Sequence, residues 1–218
     1  MAVTIHRFFL DNILLNNQDL FKGHILDVGG MKINGRGKFN KHKVRRFKSW
    51  IYLNVSKNTD PDILASAEEM PVKAGSIDTV LMSEVVEYVY DLSKVLNEVY
   101  RVLKNDGIFI LTTPFLVPLH GDKDADNYRF TITYLKNKLS LTGFKIINCY
   151  HITGLWGIIY DFLHIYFGYA NKNKESYFIF KLARKVLSIF RPLLIFLEKI
   201  FPVKNDYLTS GYIIILRK

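Results

Sequence analysis

The feature that most constrains this chain is where its first short apolar run stops. His24 to Val28 reads as a strand, and it runs straight into Gly29-Gly30, residues that let a backbone turn sharply and approach a ligand closely. From there the sequence alternates. Strands fit Trp50 to Val55 and Thr79 to Ser83, and a short buried segment fits Ile63 to Ala65. A helix is expected from about Leu92 to Leu103 and a strand at Ile108 to Thr112, with Asn105-Asp106-Gly107 as the turn between them. After a helix near Tyr134 to Leu141, Lys145 to Tyr150 and Gly211 to Leu216 read as two final strands. Strands alternating with helices pair in parallel through right-handed crossovers, which predicts an α/β sheet covered on both faces.

Two regions lie outside that alternation. Residues 4 to 21 carry apolar side chains at roughly helical spacing, and predict an amphipathic helix leading into the first strand. His151 to Ser210 separates the last two strands and is too long for a plain loop. It is expected to be a helical insertion, 151–210, within a single domain of residues 1–218. In it, Phe178 to Phe201 has a narrow polar stripe of Lys181, Arg184, Lys185, Ser188, Arg191, Glu198 and Lys199 against a broad face of Phe, Ile and Leu, and Pro192 is expected to kink or restart the helix. The apolar face can pack on the sheet, on a second copy of the chain in a homodimer, or on a bilayer, with the cations among anionic head groups. Ile152 to Ala170 is almost as apolar, but Asp161 and His164 interrupt it and argue against a membrane span.

Composition narrows the function classes. With 218 residues, 49% of them hydrophobic, the chain can build a full core, which excludes disorder. Its one cysteine, Cys149, read as an inert buried strand residue, cannot form an internal disulfide. Six scattered histidines without partner thiols offer no metal-ligand spacing, so no metal is expected. Polar residues break up Met1 to Leu20, so it does not read as a secretory signal; the expectation is a cytoplasmic protein, with membrane association left open. The net charge of +10 is local: eight cations between Lys32 and Lys48 have no acid among them. That stretch contains no nucleic-acid motif, which argues against RNA or DNA and leaves solvated surface, an anionic glycan precursor or a membrane surface as its contacts.

The specific signal comes from an assembly of motifs. Pro61-Asp62-Ile63-Leu64-Ala65-Ser66-Ala67-Glu68-Glu69-Met70-Pro71, Gly75-Ser76-Ile77-Asp78-Thr79-Val80-Leu81, Ser83-Glu84-Val85-Val86-Glu87-Tyr88 and Leu96 to Gly107, with its Arg101-Val102-Leu103-Lys104, occur in that order. Together with Asp27-Val28-Gly29-Gly30 they resemble class I S-adenosylmethionine-dependent methyltransferases over residues 24 to 150. Thr113-Pro114-Phe115, Pro118-Leu119-His120, Asp126 and Tyr128-Arg129-Phe130-Thr131 look more narrowly like a branch associated with surface glycan biosynthesis. The resemblance implies a Rossmann-like, doubly wound, mostly parallel seven-stranded sheet with an antiparallel last strand. It also implies S-adenosylmethionine as cofactor and a small acceptor, such as a sugar hydroxyl of a cell-surface glycan precursor.

On that resemblance, Asp27, Gly29, Gly30, Ser56, Ser66, Ala67, Ser83 and Glu84 are the candidate cofactor-binding residues. His120, Tyr128 and Arg129 are the candidate catalytic or acceptor-side residues, with His120 as a base of near-neutral pKa, and Glu87 is assigned to a helix terminus. Four positions depart from the family's pattern: Met31 replaces a glycine, Ser56 and Ser66 replace acids that bind ribose and adenine, and Tyr88 replaces a histidine. If each exchange of carboxylate for serine loses roughly 1–2 kcal/mol, the pair lowers cofactor affinity about 30- to 1000-fold. The alternative is therefore a degenerate, non-catalytic methyltransferase fold acting as a binding or scaffolding partner.

Overall fold

The computed structural model describes residues 4–33, 37–119, 125–170, 177–202 and 207–218. Seven strands form one sheet: β1 (Gly23–Val28), β2 (Phe47–Asn54), β3 (Ile63–Leu64), β4 (Ile77–Ser83), β5 (Leu103–Pro114), β6 (Lys145–His151) and β7 (Gly211–Arg217), in the order β3-β2-β1-β4-β5-β7-β6. β1 to β5 pair in parallel, and β7 runs antiparallel between β5 and β6. The expected doubly wound architecture is therefore present. Among the described residues the α-helices are α1 (Ile5–Asn16), α2 (Leu92–Val102), α3 (Ile132–Leu141), α4 (Leu155–Ala170) and α5 (Tyr177–Ile200).

Each face of the sheet has its own core. On one, α2 and α3 bury Leu96, Val99, Leu135 and Leu139 against Leu26, Val80, Phe109 and Ile214. On the other, Leu10 and Leu14 of α1 pack with Phe21, Ile25, Ile110 and Ile213. The crossover from β1 to β2 departs from strand–helix alternation, since its described residues hold only a 3₁₀ turn, Lys41–Lys43. The face that a crossover helix would cover is occupied by α1 and by Phe39, which packs on Phe21 and Trp50 at ring separations of 5.0 and 6.3 Å.

Three local expectations are corrected. Ile63 to Ala65 is not a buried segment: β3 is a two-residue edge strand, with Leu64 exposed. Asn105-Asp106-Gly107 does not precede β5 but bulges within it, because Leu103 pairs with Ile77 and Ile108 with Thr79. Asp106 takes a left-handed φ of 61° at that bulge. Cys149 is half-buried, lying on the sheet's outer strand.

The insertion brings a larger correction. α5 continues through Pro192, which is exposed, and its apolar face does not pack on the sheet. Arg184 and Glu198 of its polar stripe turn inward instead. Glu198, 4% exposed, accepts hydrogen bonds from the Gly154 and Gly157 amides at 2.6 and 3.1 Å, at the start of α4. Arg184 donates to His164 Nε2 at 2.8 Å; burial, then the charges of Arg184 and Arg191, push that imidazole down to about 4 and keep it a neutral acceptor. Asp161, also buried, accepts from the Ile5 and His6 amides at 2.7 and 2.8 Å, the first turn of α1. Unpaired amides at a helix start need acceptors, and a carboxylate also suits the positive end of the helix dipole. Arg184 and Glu198 thus find partners on α4, Lys181, Lys185 and Lys199 stay exposed, and the apolar face is left outside. Among the described residues, no helix is long and apolar enough to cross a membrane.

Candidate functional site

In an open α/β sheet the ligand crevice lies beyond the carboxyl ends of the strands, which here are the tips of β1, β2, β4 and β5. At the tip of β1, Gly29 has φ 76° and its amide donates to the Leu53 carbonyl at 2.7 Å. A side chain there would be strained and would overlap Val85, so glycine is required. A Cβ on Gly30 would overlap the carboxyl of Asp27, which folds back beneath the turn.

Asp27 is 9% exposed, and its carboxylate accepts from Trp50 Nε1 at 3.0 Å. Burial pushes its pKa up to about 7 against the opposing effects of that bond and of Arg7. The group therefore changes protonation near neutrality. Tyr52, beside it on β2, is pushed up to about 12 by burial and by the Asp27 charge.

The last residue of β2 is Asn54 rather than Val55. Its amide donates to the Gly29 and Gly30 carbonyls at 3.0 and 3.1 Å, while its oxygen accepts from the Ser56 amide at 3.0 Å. Asn54 thus ties the glycine turn to the neighbouring strand, a role the sequence reading did not assign. Ser56 follows, half-buried, with its carbonyl accepting from the Thr59 hydroxyl at 2.8 Å. Ser66 is exposed and its hydroxyl accepts from the Glu68 amide at 3.2 Å, whereas Ala67 is buried. That segment is held from behind. Arg101 donates to the Met70 and Val72 carbonyls at 2.8 Å each and pairs with Glu98, which accepts from the Met70 amide at 2.7 Å. The Arg-Val-Leu-Lys motif therefore positions the chain beside the crevice. Met31, half-buried, leads into Lys32, which pairs with Asp62 at 2.6 Å.

Beyond β4, Ser83 Oγ lies 3.1 Å from Thr112 Oγ1. Glu84 adopts a left-handed φ of 57°, a conformation that costs a non-glycine residue energy and that clusters at functional sites. Its carboxylate accepts from the Thr112 hydroxyl at 3.0 Å and lies 3.3 Å from His6 Nε2. The other ring nitrogen of His6 is 2.7 Å from Ser210 Oγ. His6, buried at the start of α1, thus reaches the crevice from far along the chain; nothing in the local sequence singles it out.

Glu87 lies in the first turn of a short helix, as assigned, but away from water. It lies fully buried in the 3₁₀ turn Val86–Tyr88, and burial, Glu84 and Asp126 push its pKa up to about 9, so it holds a proton at neutral pH. Its carbonyl accepts from the Asn127 amide at 2.9 Å.

Arg129 makes a bidentate pair with buried Asp126 and donates to the Tyr128 carbonyl at 2.8 Å. Its guanidinium therefore braces the segment around it. Tyr128, 40% exposed, stacks on Phe130 at 5.2 Å, and Phe130 stacks on Tyr134 at 5.4 Å. His120 lies outside the described residues.

Comparison with known proteins agrees with this geometry. Residues 36–111 match the family model described as a methyltransferase domain. A probable S-adenosylmethionine-dependent methyltransferase of Mycolicibacterium smegmatis is 26% identical over 95 residues, 40% of this chain and 37% of that protein. The ubiquinone/menaquinone biosynthesis C-methyltransferase UbiE of Rickettsia prowazekii is 29% identical over 128 residues, 50% of this chain and 51% of that protein. The chain thus spans about half or less of the length of these curated relatives. Among solved structures, a SAM-dependent methyltransferase from Archaeoglobus fulgidus superposes with a TM-score of 0.59 at 15% identity, over 97% of this chain and 94% of that one. Phosphoethanolamine N-methyltransferase 2 of Haemonchus contortus, bound to S-adenosylhomocysteine, gives 0.60 at 16% identity over 96% of this chain and 52% of that one. The [4+2]-cyclase SpnF shares the fold as well, at 0.57 with 14% identity over 96% of this chain and 79% of that one, so the fold alone does not fix the reaction.

Proposed function

For a chain whose residues 36–111 match a methyltransferase-domain family model, we propose S-adenosylmethionine-dependent methyl transfer to a small acceptor. The observation that carries this reading is the strand-tip crevice. A glycine turn packed on Val85 and Asp27 and pinned by Asn54 stands beside Glu84. The donor set fits the cofactor. Glu84 supplies negative charge suited to a cationic sulfonium and ammonium, the turn offers its backbone, and Ser56, Ser66 and Ser83 offer neutral oxygens where hydroxyls and an amine need partners.

When bound, S-adenosylmethionine supplies an electrophilic methyl group and leaves as a neutral thioether. The protein's task is then mainly positioning. His6 and Thr112 hold the Glu84 carboxylate, Asn54 fixes the turn, and Arg101 fixes the segment bearing Ser66 and Ala67. Buried Glu87 and the Asp126–Arg129 pair shape the acceptor side.

A sugar hydroxyl of a surface-glycan precursor is our acceptor class. The resemblance of residues 113–131 supports it, as do Tyr128 and Tyr134, exposed members of a stacked aromatic row of the kind on which a sugar ring packs. Calorimetry with S-adenosylmethionine and S-adenosylhomocysteine tests the cofactor step: binding that disappears in Gly29→Val, with the variant still folded by circular dichroism, is expected. No heat at millimolar ligand overturns the enzyme reading and leaves the scaffolding alternative. Transfer of labelled methyl to a panel of nucleotide-sugars and oligosaccharides tests the acceptor, and label on none of them removes the glycan assignment.

A further inference from the structure

A soluble amphipathic helix buries its apolar stripe and shows its charges to water. α5 leaves its apolar face outside, with Glu198 buried and Lys181, Lys185 and Lys199 exposed. Phe178 and Ile189 are 74% and 71% exposed, and Leu182, Leu193 and Phe196 share that outer face. On α4, Ile159, Phe162 and Tyr166 are exposed as well, so the two-helix insertion is apolar along its outside. A shallow groove lined by Phe167, Ile179, Leu182, Ala183, Val186 and Phe190 runs between the helices. Contiguous exposed apolar surface of this kind marks an interaction site.

The charges identify its occupant. Asp161 and Glu198 are the only carboxylates in α4 and α5, and both are buried as helix caps. Every exposed charge on α5 is positive, with Lys185 and Lys199 at the border of the apolar face. The basic segment after β1 lies near the inner side of α5: the Phe8 ring lies 5.5 Å from Lys38 Nζ and 5.6 Å from the guanidinium carbon of half-buried Arg191. A second copy of this chain would bring the same lysines and no exposed carboxylate of these helices to meet them. A surface of anionic lipid supplies both missing complements, an apolar interior and negative head groups.

We propose that the outer face of the α4–α5 insertion is a peripheral membrane-docking surface for anionic lipid. The apolar side chains enter the boundary between head groups and acyl chains, while Lys185 and Lys199 remain among the head groups. The insertion springs from the ends of β6 and β7 that lie at the carboxyl edge of β5, so docking brings the strand-tip crevice close to the bilayer.

Co-sedimentation of the full chain with phosphatidylglycerol–phosphatidylcholine vesicles, and with phosphatidylcholine alone, tests this without any methyl transfer. Binding to the anionic vesicles and little to the neutral ones is expected. Each surface lysine contributes about fivefold to partitioning, so K185Q/K199Q should bind roughly 25-fold more weakly. I189D/F196D, at exposed positions, should abolish binding and leave thermal melting unchanged. Absence of vesicle binding overturns the proposal, as does binding unaffected by either double substitution. So does a dimer in sedimentation velocity that I189D/F196D dissociates while the native chain ignores vesicles, because a second copy then covers the face.

Discussion

Exchanging Asp27 for asparagine isolates the energetic consequence of a carboxyl held under the glycine turn. The side chains are isosteric, and asparagine can still accept from Trp50 Nε1, so the main change is loss of titration. In the folded chain Asp27 keeps its proton up to about 7, against an ordinary 3.8. Between those values the folded state binds more protons than the unfolded state, so this group's contribution to stability falls as pH rises through the window and is fully lost above it. A shift of about three units corresponds to roughly 4 kcal/mol at most. At about pH 5 only some 1–2 kcal/mol of that cost is present, and by about pH 8 nearly all of it. Urea unfolding of the native chain and Asp27→Asn at these two pH values should therefore show the variant's relative stability increasing by about 2–3 kcal/mol. Other titrating groups are common to both proteins and cancel in the difference. A gap that stays constant within about 0.5 kcal/mol would refute the buried-carboxyl reasoning.

Asn54→Ala removes both bonds to the glycine turn and should cost about 1–3 kcal/mol, with weaker cofactor binding by calorimetry. Ser66→Asp restores an anion where the family resemblance puts the adenine amine, and should raise cofactor affinity about 5- to 30-fold; unchanged affinity would mean that Ser66 does not face the ligand. Asp161→Ala strips the first turn of α1 of two charged acceptors and should lower stability by about 2–4 kcal/mol in urea unfolding. Glu87, raised by burial to about 9, loses its folded-state advantage as pH rises toward that value. Glu87→Gln should accordingly flatten the decline in melting temperature between about pH 7 and 9.

The strands of this fold are legible because each is a short apolar run closed by glycine or a polar turn, as at Val28-Gly29 and Ser83-Glu84. The order of motifs carries the order of the sheet. Other features depend on contacts that no window of sequence contains. β2 ends at Asn54 rather than Val55, a one-residue boundary shift that puts the Asn54 side chain at the strand tip. His6 meets Glu84 and Ser210 only once α1 lies over the sheet. The orientation of α5 is the clearest case. Periodicity shows that the helix has a polar and an apolar face, but which faces inward is set by what awaits it. Here that is the bare amides of Gly154 and Gly157 and the imidazole of His164.

The three helix-end contacts form a single series of latches. Glu198 of α5 secures α4, Asp161 of α4 secures α1, and His6 of α1 engages the carboxylate beside the crevice. The late insertion is therefore scaffolding for the front of the molecule rather than an appendage: the alignment of Glu84 is inherited, link by link, from a helix encoded near the opposite terminus. Trimming that helix away would leave the sheet intact and its working edge out of true.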